Sequence, residues 1–314
     1  MATTVGTQRC PRCGNEIRAD SYTCAFCGKR LRVELIERTP LFRRIESEWY
    51  APYSFFKKLF YLFINPPKAF WDINHDRKKS PGSLIVLLSS LAWGLIGISI
   101  FLHINLASLF SSYPWEIRLG MVFFNGLLIF LFFFLFGYIF QKLFFSLMIW
   151  LYTKGANYAV DYSERLEQRF GTRSQERPDY EERNLSPFSI YRGGTLLQTQ
   201  KAYRKKMMMS AFLPFLIINL IKAILLAIAL PNVVVSDFSA LSTAYATILD
   251  PNLGVWKVCH FLDFLTLAIW VPYLITISIR ELANSGTWRV LVSSYIISIL
   301  AGIIFYLMRP SLLG

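Results

Sequence analysis

The chain has 314 residues and is 54% apolar and 16% aromatic, with 17% charged residues and a formal net charge of +13. It holds five apolar runs of about 20 residues each, long enough to cross a hydrocarbon core as helices, which no soluble fold of this size can hide. The charge therefore reads as a positive-inside bias with solvated flanks facing anionic lipid, and not as a nucleic-acid footprint.

Residues 1–38 carry Cys10-Pro-Arg-Cys13-Gly and Cys24-Ala-Phe-Cys27-Gly, two C-x-x-C knuckles ten residues apart. Two such turns bring four thiolates to the corners of a tetrahedron. Gly14 and Gly28 follow the pairs, where a tight turn needs a residue tolerant of positive φ. The segment is too short to bury a core, so a metal must supply its folding energy. A fully thiolate-ligated site leaves no open position and points to structural Zn2+ on Cys10, Cys13, Cys24 and Cys27. Rubredoxin-like iron is the rival, and two disulfides conflict with a reducing cytosol. Over residues 10–30 the stretch resembles the short zinc-ribbon family, whose members are mostly small docking modules. Arg9, Arg12, Arg18, Lys29, Arg30 and Arg32 are partly offset by Glu16 and Glu34 and lack an aromatic stacking platform, so no specific nucleic-acid partner is expected.

Residues 39–82 read as an amphipathic, interfacial linker. Phe55, Phe56, Leu59, Phe60, Leu62 and Phe63 share one side of a helix, and Ser54, Lys57, Lys58 and Tyr61 the other. Such a helix lies on a membrane surface or packs on the protein's own spans, and both readings stand. Asn65 can cap a second helix, with Pro66 in its first turn. Phe70 and Ile73 then share a face, Trp71 sits at headgroup level, and Arg77-Lys78-Lys79 closes the segment on the anionic side.

Residues 83–309 contain the spans: about Leu84–Asn105, Leu119–Phe140 running on to Leu151, Met209–Leu230, Val255–Ile279 and Val290–Met308. Nothing before Leu84 reads as a secretory signal. Residues 1–82 and 152–206 hold 26 of the 33 Lys and Arg, while the loops at 106–118 and 231–254 hold one and none. The alternation places the N-terminus in the cytosol and the C-terminus outside or in a lumen. In the second loop, Asp161–Phe170 continues helically, Gly171–Pro187 is loosely held, and Thr195 caps a helix ending in Lys201, Arg204, Lys205 and Lys206. The three Met residues after it fill a span entrance.

Small residues mark close helix approach: Ser90, Gly94 and Gly97 in the first span, and Ser294, Ser298 and Gly302 in the fifth. The two stripes meet each other or serve a homodimer. Lys222 and Asp263 are charges inside spans three and four. Each lies eight residues from the outer end of its span, about 12 Å deep. An unpaired charge there costs on the order of 3 kcal/mol or more, so the two are expected to pair. His260 and Lys257 fall near the Asp263 face, and His103 and Asn125 lie at comparable depth. The cluster is either a buried bridge or a proton or ion site. Cys259, alone in the fourth span, is a packing residue.

Asn65-Pro-Pro-Lys-Ala-Phe-Trp-Asp-Ile73, the spacer with Pro81 and the span that follows resemble the opening of the Yip-domain membrane proteins. Gly193-Gly194-Thr195, Tyr203 and Pro214 look like that family's central block, and Arg280-Glu281-Leu282 with Trp288-Arg289 looks like its last hairpin. The resemblance covers residues 55–309. It implies an all-α polytopic membrane protein, a five-helix transmembrane bundle, here with a small N-terminal zinc ribbon resembling prokaryotic members. It also implies a non-enzymatic membrane adaptor that recruits a small GTPase or another cytosolic protein in vesicle trafficking or membrane shaping. The membrane would be the cell membrane in a prokaryote and an early secretory one in a eukaryote. No P-loop, H-E-x-x-H, Gly-x-Ser-x-Gly or Rossmann glycine run occurs, so no enzyme is expected. The alternative is a proton- or ion-coupled transporter using Lys222 and Asp263, with the absence of a broken half-helix pair counting against it.

Overall fold

The computed structural model describes residues 7–18, 21–24, 27, 29–45, 53–76, 79–106, 113–170, 194–235, 237 and 239–313, with the side chains of 160–201 and 305–313 left aside. Gly28, Arg77, Lys78, Gly171–Pro187, Gly193 and the Thr195 and Lys201 side chains lie outside the described set. The chain is mostly helical, and among the described residues five helices are long and apolar enough to cross a membrane: Gly82–Leu102, Trp115–Ala159, Ala202–Ala229, Gly254–Ala283 and Thr287–Ile304. The second apolar run is part of one uninterrupted helix, α4 (Trp115–Phe170), 56 residues long. The chain divides into two compact units, residues 1–83, 146–211 and 268–314, and residues 84–145 and 212–267.

In the first unit the strands β1 (Thr7–Arg9) and β2 (Glu16–Arg18) pair antiparallel and open the cysteine module. Two 3-10 turns follow, at Leu35–Arg38 and Pro40–Phe42. Next come α1 (Phe55–Ile64) and α2 (Pro66–His75), which pack on each other around the turn at Asn65. The Asn65 side chain accepts the Lys68 N–H at 3.3 Å and so caps α2. Lys58 departs from the sequence expectation of a solvent-facing side. It is fully buried, with Nζ 3.3 Å from Asp72 and 3.2 Å from Asp76. Asp72 on α2 and Asp76 just past its end supply the opposite charge that permits burial of a lysine. The expected faces are therefore not kept: Lys58 and Leu62, expected on opposite sides, are both buried, while Phe56, Phe60, Phe63 and Ile64 are exposed.

α2 buries Ala69, Phe70 and Ile73 completely and runs along α9 (Val271–Ala283). The Asn74 side chain donates to the Glu281 carbonyl at 2.9 Å. α5 (Gly194–Met209) begins at Gly194, so Thr195 lies inside the helix and not before it. Gly82 is held against the end of α5, where an added Cβ would meet the Lys206 carbonyl oxygen at 2.0 Å. α10 (Thr287–Leu313) packs on α9 and on α4, and its Ser298 shares a hydrogen bond with Tyr152.

The second unit comprises α3 (Gly82–Leu102, from Leu84), the first part of α4, α6 (Leu213–Ala229), α7 (Ala240–Ile248) and α8 (Gly254–Leu265). Two short strands, β3 (Ile104–Asn105) and β4 (Val233–Val234), pair in parallel. Ile100, Ile104, Leu226, Leu230, Val235, Ala244, Ile248 and Cys259 form its apolar cluster, so Cys259 is a packing residue. Each small-residue stripe finds bulky partners within its own unit. Gly94 and Gly97 of α3 receive the rings of Phe130 and Phe133 on α4, whereas Ser298 faces Tyr152. Large rings on α4 fill what the small residues leave, in the way membrane helices gain packing without hydrophobic drive. A Cβ at Gly97 would lie 2.7 Å from Phe133 Cγ and 3.0 Å from its Cβ, close to an immobile backbone. Gly97→Val is expected to lower stability by about 1–3 kcal/mol, read as an earlier melt of the detergent-solubilised chain.

The fourth long helix carries a π turn at Thr266–Trp270, just ahead of Pro272. Proline lacks the N–H its i−4 carbonyl would receive, and a π turn is one way a helix absorbs that loss. Thr266 and Thr276 hydroxyls donate back to the carbonyls of Leu262 and Pro272, both at 2.7 Å. The helix stays continuous and is not split into half-helices.

Candidate metal centre and its seat on the last helical hairpin

The cysteine module is built by backbone bonds around two turns. Cys10 N–H donates to Asn15 O and Gly14 N–H to Cys10 O, both at 2.9 Å, with Gly14 at φ +72°. Cys24 N–H donates to Lys29 O at 2.9 Å, and Thr23 bridges Arg30. The four sulfurs lie within 4.8 Å of one another, and none of the five cysteines is in a disulfide. Cys10 Sγ is 3.6 Å from Cys27 Sγ, and Cys13 Sγ is 3.7 Å from Cys24 Sγ. A metal with bonds of about 2.3 Å to sulfur at tetrahedral angles requires edges of about 3.8 Å. The donor set therefore fits a tetrahedral, thiolate-bound cation.

The electrostatics of the cluster prepare it for one. Burial raises the Cys10 thiol, but backbone N–H groups of Cys13 and Arg12 and the neighbouring sulfurs of Cys27 and Cys13 bring it down to about 6. Burial raises Cys27, against the pull of the Lys29 backbone. A thiolate is thus stabilised at one corner, where metal binding must displace protons.

The module does not hang free. Thr23, the residue before Cys24, makes three hydrogen bonds with Asn284: Thr23 N–H and Oγ1–H to Oδ1 at 3.0 and 2.9 Å, and Asn284 Nδ2–H to Thr23 O at 2.9 Å. Asn284 ends α9 in the left-handed region at φ 50°, a conformation asparagine tolerates and β-branched residues do not. Glu34 accepts the Trp288 N–H at 2.9 Å, capping the start of α10. The turn between α9 and α10 is therefore held by the cysteine module at both of its ends.

Beneath it lies a buried polar network. Glu37 Oε1 accepts from Arg44 Nε and from Thr287 Oγ1, each at 2.6 Å, and both charged side chains are almost fully buried. Arg44 also donates to the Ser285 carbonyl and lies 4.9 Å over the Tyr22 ring. Arg280, buried completely, donates to the Phe42 carbonyl, reaches Thr287 Oγ1 at 3.4 Å and lies 3.3 Å from Glu281. Tyr22 is raised in pKa by burial and by neighbouring Glu34. Thr23, Glu37, Arg44 and Asn284 carried no sequence signal, because each acts through a partner distant in the chain or on another element. Arg280 stood out only as part of a resemblance. Asn284→Ala is expected to lose all three hydrogen bonds and strain the left-handed turn, at about 2–4 kcal/mol. Protease protection of residues 7–45 checks it.

In the second unit the structure brings Lys222 and Asp263 together, with Nζ at 2.8 and 3.1 Å from the two carboxylate oxygens. Side-chain exposures of 11% and 29% mark them as part-buried. The histidines do not join them. His103 bonds to Asn232 Oδ1 at 2.8 Å and the Ala227 carbonyl at 3.1 Å, and Asn125 donates to Met121 O. His260 Nε2 has no hydrogen-bond partner among the described residues, and its ring stacks on Trp256. One turn before Lys222, Asn219 donates to Ser89 Oγ at 3.0 Å. Lys222→Met or Asp263→Asn alone is expected to cost about 3 kcal/mol, and the double change to Met and Leu less than either, since no lone charge is left behind. Thermal unfolding of the three variants measures this.

Comparison of the chain with protein-family models, curated proteins and solved structures returns no match.

Proposed function

We propose that the chain is a multi-pass membrane protein whose zinc ribbon and second loop face the cytosol and whose C-terminus lies on the far side. It works as a non-enzymatic adaptor of Yip-like type, recruiting a small GTPase or another cytosolic protein to the bilayer for trafficking or membrane shaping. The observation that carries this is the rigid joint between the ribbon and the turn at 284–287. A partner bound to the ribbon is coupled to two apolar helices, which a tethered module would not achieve. Two contacts support the orientation. β3 and β4 join the two loops poor in Lys and Arg, and the ribbon and the Ser80–Lys206 bond gather the basic segments. Zn2+ is the favoured cation because a closed set of four cysteines leaves no site for chemistry.

The reading of Lys222–Asp263 as a transport site has less to support it. Both oxygens of Asp263 are taken by Lys222, which suits a bridge between α6 and α8. The test uses full-length protein in liposomes, with reporter tags at each end to fix orientation. Nucleotide-loaded small GTPases are assayed against wild type and a Cys13→Ser, Cys24→Ser variant. Zinc-dependent binding supports the adaptor. Absence of binding together with proton or cation flux abolished by Asp263→Asn replaces it with the transporter.

A further inference from the structure

The pair α1–α2 has an uneven distribution of polarity along its length. At its open end, where α1 begins and α2 ends, lie the charges: Lys58 between Asp72 and Asp76, with Lys79 3.7 Å from Asp76. Lys57 places its ammonium over the Tyr53 ring there, at 4.6 Å. The closed end is apolar in Leu62, Phe63, Ile64, Pro66, Pro67 and Phe70, and its one lysine, Lys68, turns its ammonium away from the turn to the Tyr61 and Tyr53 rings, at 5.0 and 5.4 Å. The N–H groups of the turn are accounted for: Asn65 N–H donates to Tyr61 O at 2.8 Å, Pro66 and Pro67 have none, and the Asn65 side chain takes the Lys68 N–H.

The depth of the closed end can be placed along the fourth long helix. Phe63 meets Trp270 edge to face at 5.9 Å, and Asn74 meets the Glu281 carbonyl. α2 thus runs beside α9 from the level of Trp270 to that of Glu281. The interval from Trp270 to Glu281 rises about 16 Å and the length of α2 is about 15 Å, so the two match. The aqueous margin lies near the Glu281 end, where Arg280 binds the Phe42 carbonyl beside Arg43. The closed end therefore reaches deep alongside an apolar helix whose neighbouring Ile269 is 55% exposed. On its outer side Phe56, Phe60, Phe63 and Ile64 are 76%, 62%, 50% and 65% exposed, continuous with that surface.

We propose that α1–α2 is a re-entrant helical hairpin. It enters the leaflet on the ribbon side, turns at Asn65 within the acyl region and leaves again, with the aromatic face of α1 against acyl chains. Two helices of this length are too short to cross a core of about 30 Å but suit half of it. Irregular backbone at that depth is tolerated where protein covers it; here Pro66 and Pro67 are buried, and Trp270 meets Phe63 beside the turn. The lysine heads at the open end face the anionic headgroups, with their stems along the hairpin. This rests on the membrane reading above.

The test places a benzophenone amino acid at position 60 or 64 of the full chain in lipid nanodiscs of zwitterionic and anionic phospholipid. Position 132, 65% exposed on α4, and position 43 serve as lipid and aqueous controls. After irradiation, mass spectrometry locates each adduct. The expected result is acyl-chain adducts at 60, 64 and 132 and none at 43. Adducts at 132 but only headgroup adducts, or none, at 60 and 64 overturn the hairpin while leaving the spans in place. A crosslink from 60 to a second copy of the chain also overturns it. No lipid adduct at any position, 132 included, defeats the membrane reading itself.

Discussion

Serine in place of Cys13 is expected to abolish tetrahedral metal binding and to release residues 7–45 from the α9–α10 turn. The module pairs three residues of β1 with three of β2 and buries little apolar surface beyond Ile17 and the cysteines, with Leu31 packed partly against them. A bound metal would supply its order, since in comparable four-ligand peptides metal binding supplies about 10–16 kcal/mol of apparent binding energy at neutral pH. Metal analysis of purified protein should give one cation per chain in wild type and none in the variant. Trypsin should then cut at Arg30 and Arg32. Protected sites in a metal-free chain would show that the hairpin contacts alone fold the module. The same measurement identifies the cation.

Glu37→Ala is expected to be the most damaging single change outside the cysteines. It removes the acceptor of both Arg44 and Thr287 and leaves Arg44 without its carboxylate in a nearly solvent-free site, while Arg280 keeps Glu281 beside it. Breaking one side of a buried pair costs about 3–5 kcal/mol. That is a large fraction of the roughly 5–15 kcal/mol by which domains are stable. The variant should be recovered in low yield, melt early in detergent and show an open ribbon even with metal bound. Glu37→Gln, which keeps an acceptor for Thr287, should recover part of the loss. A Glu37→Ala protein with wild-type melting would mean the network contributes little.

The cysteine module and the five apolar helices were legible because both are local. Four cysteines at fixed spacing and runs of apolar residues state their own structure. The Lys222–Asp263 proximity followed from depth, which needs only the direction of each helix. Lys58 was misplaced for an instructive reason. The pattern set Lys58 and Leu62 on opposite sides of α1, whereas both are buried, because nothing local announces that Asp72 and Asp76 will cover a lysine. The seat of the ribbon was invisible for the same reason: Thr23 and Asn284 are ordinary residues whose meaning is their contact. The small-residue stripes marked close approach correctly, but composition could not say that the bulky partners were Phe130, Phe133 and Tyr152.

The length of α4 has a mechanical consequence. The whole helix has 56 residues, about 84 Å at 1.5 Å per residue, against an oily slab of about 30 Å. On the membrane reading proposed above, a helix of that length stands well proud of the film it crosses, and it leans or thickens its surroundings only as far as its apolar run exceeds that film.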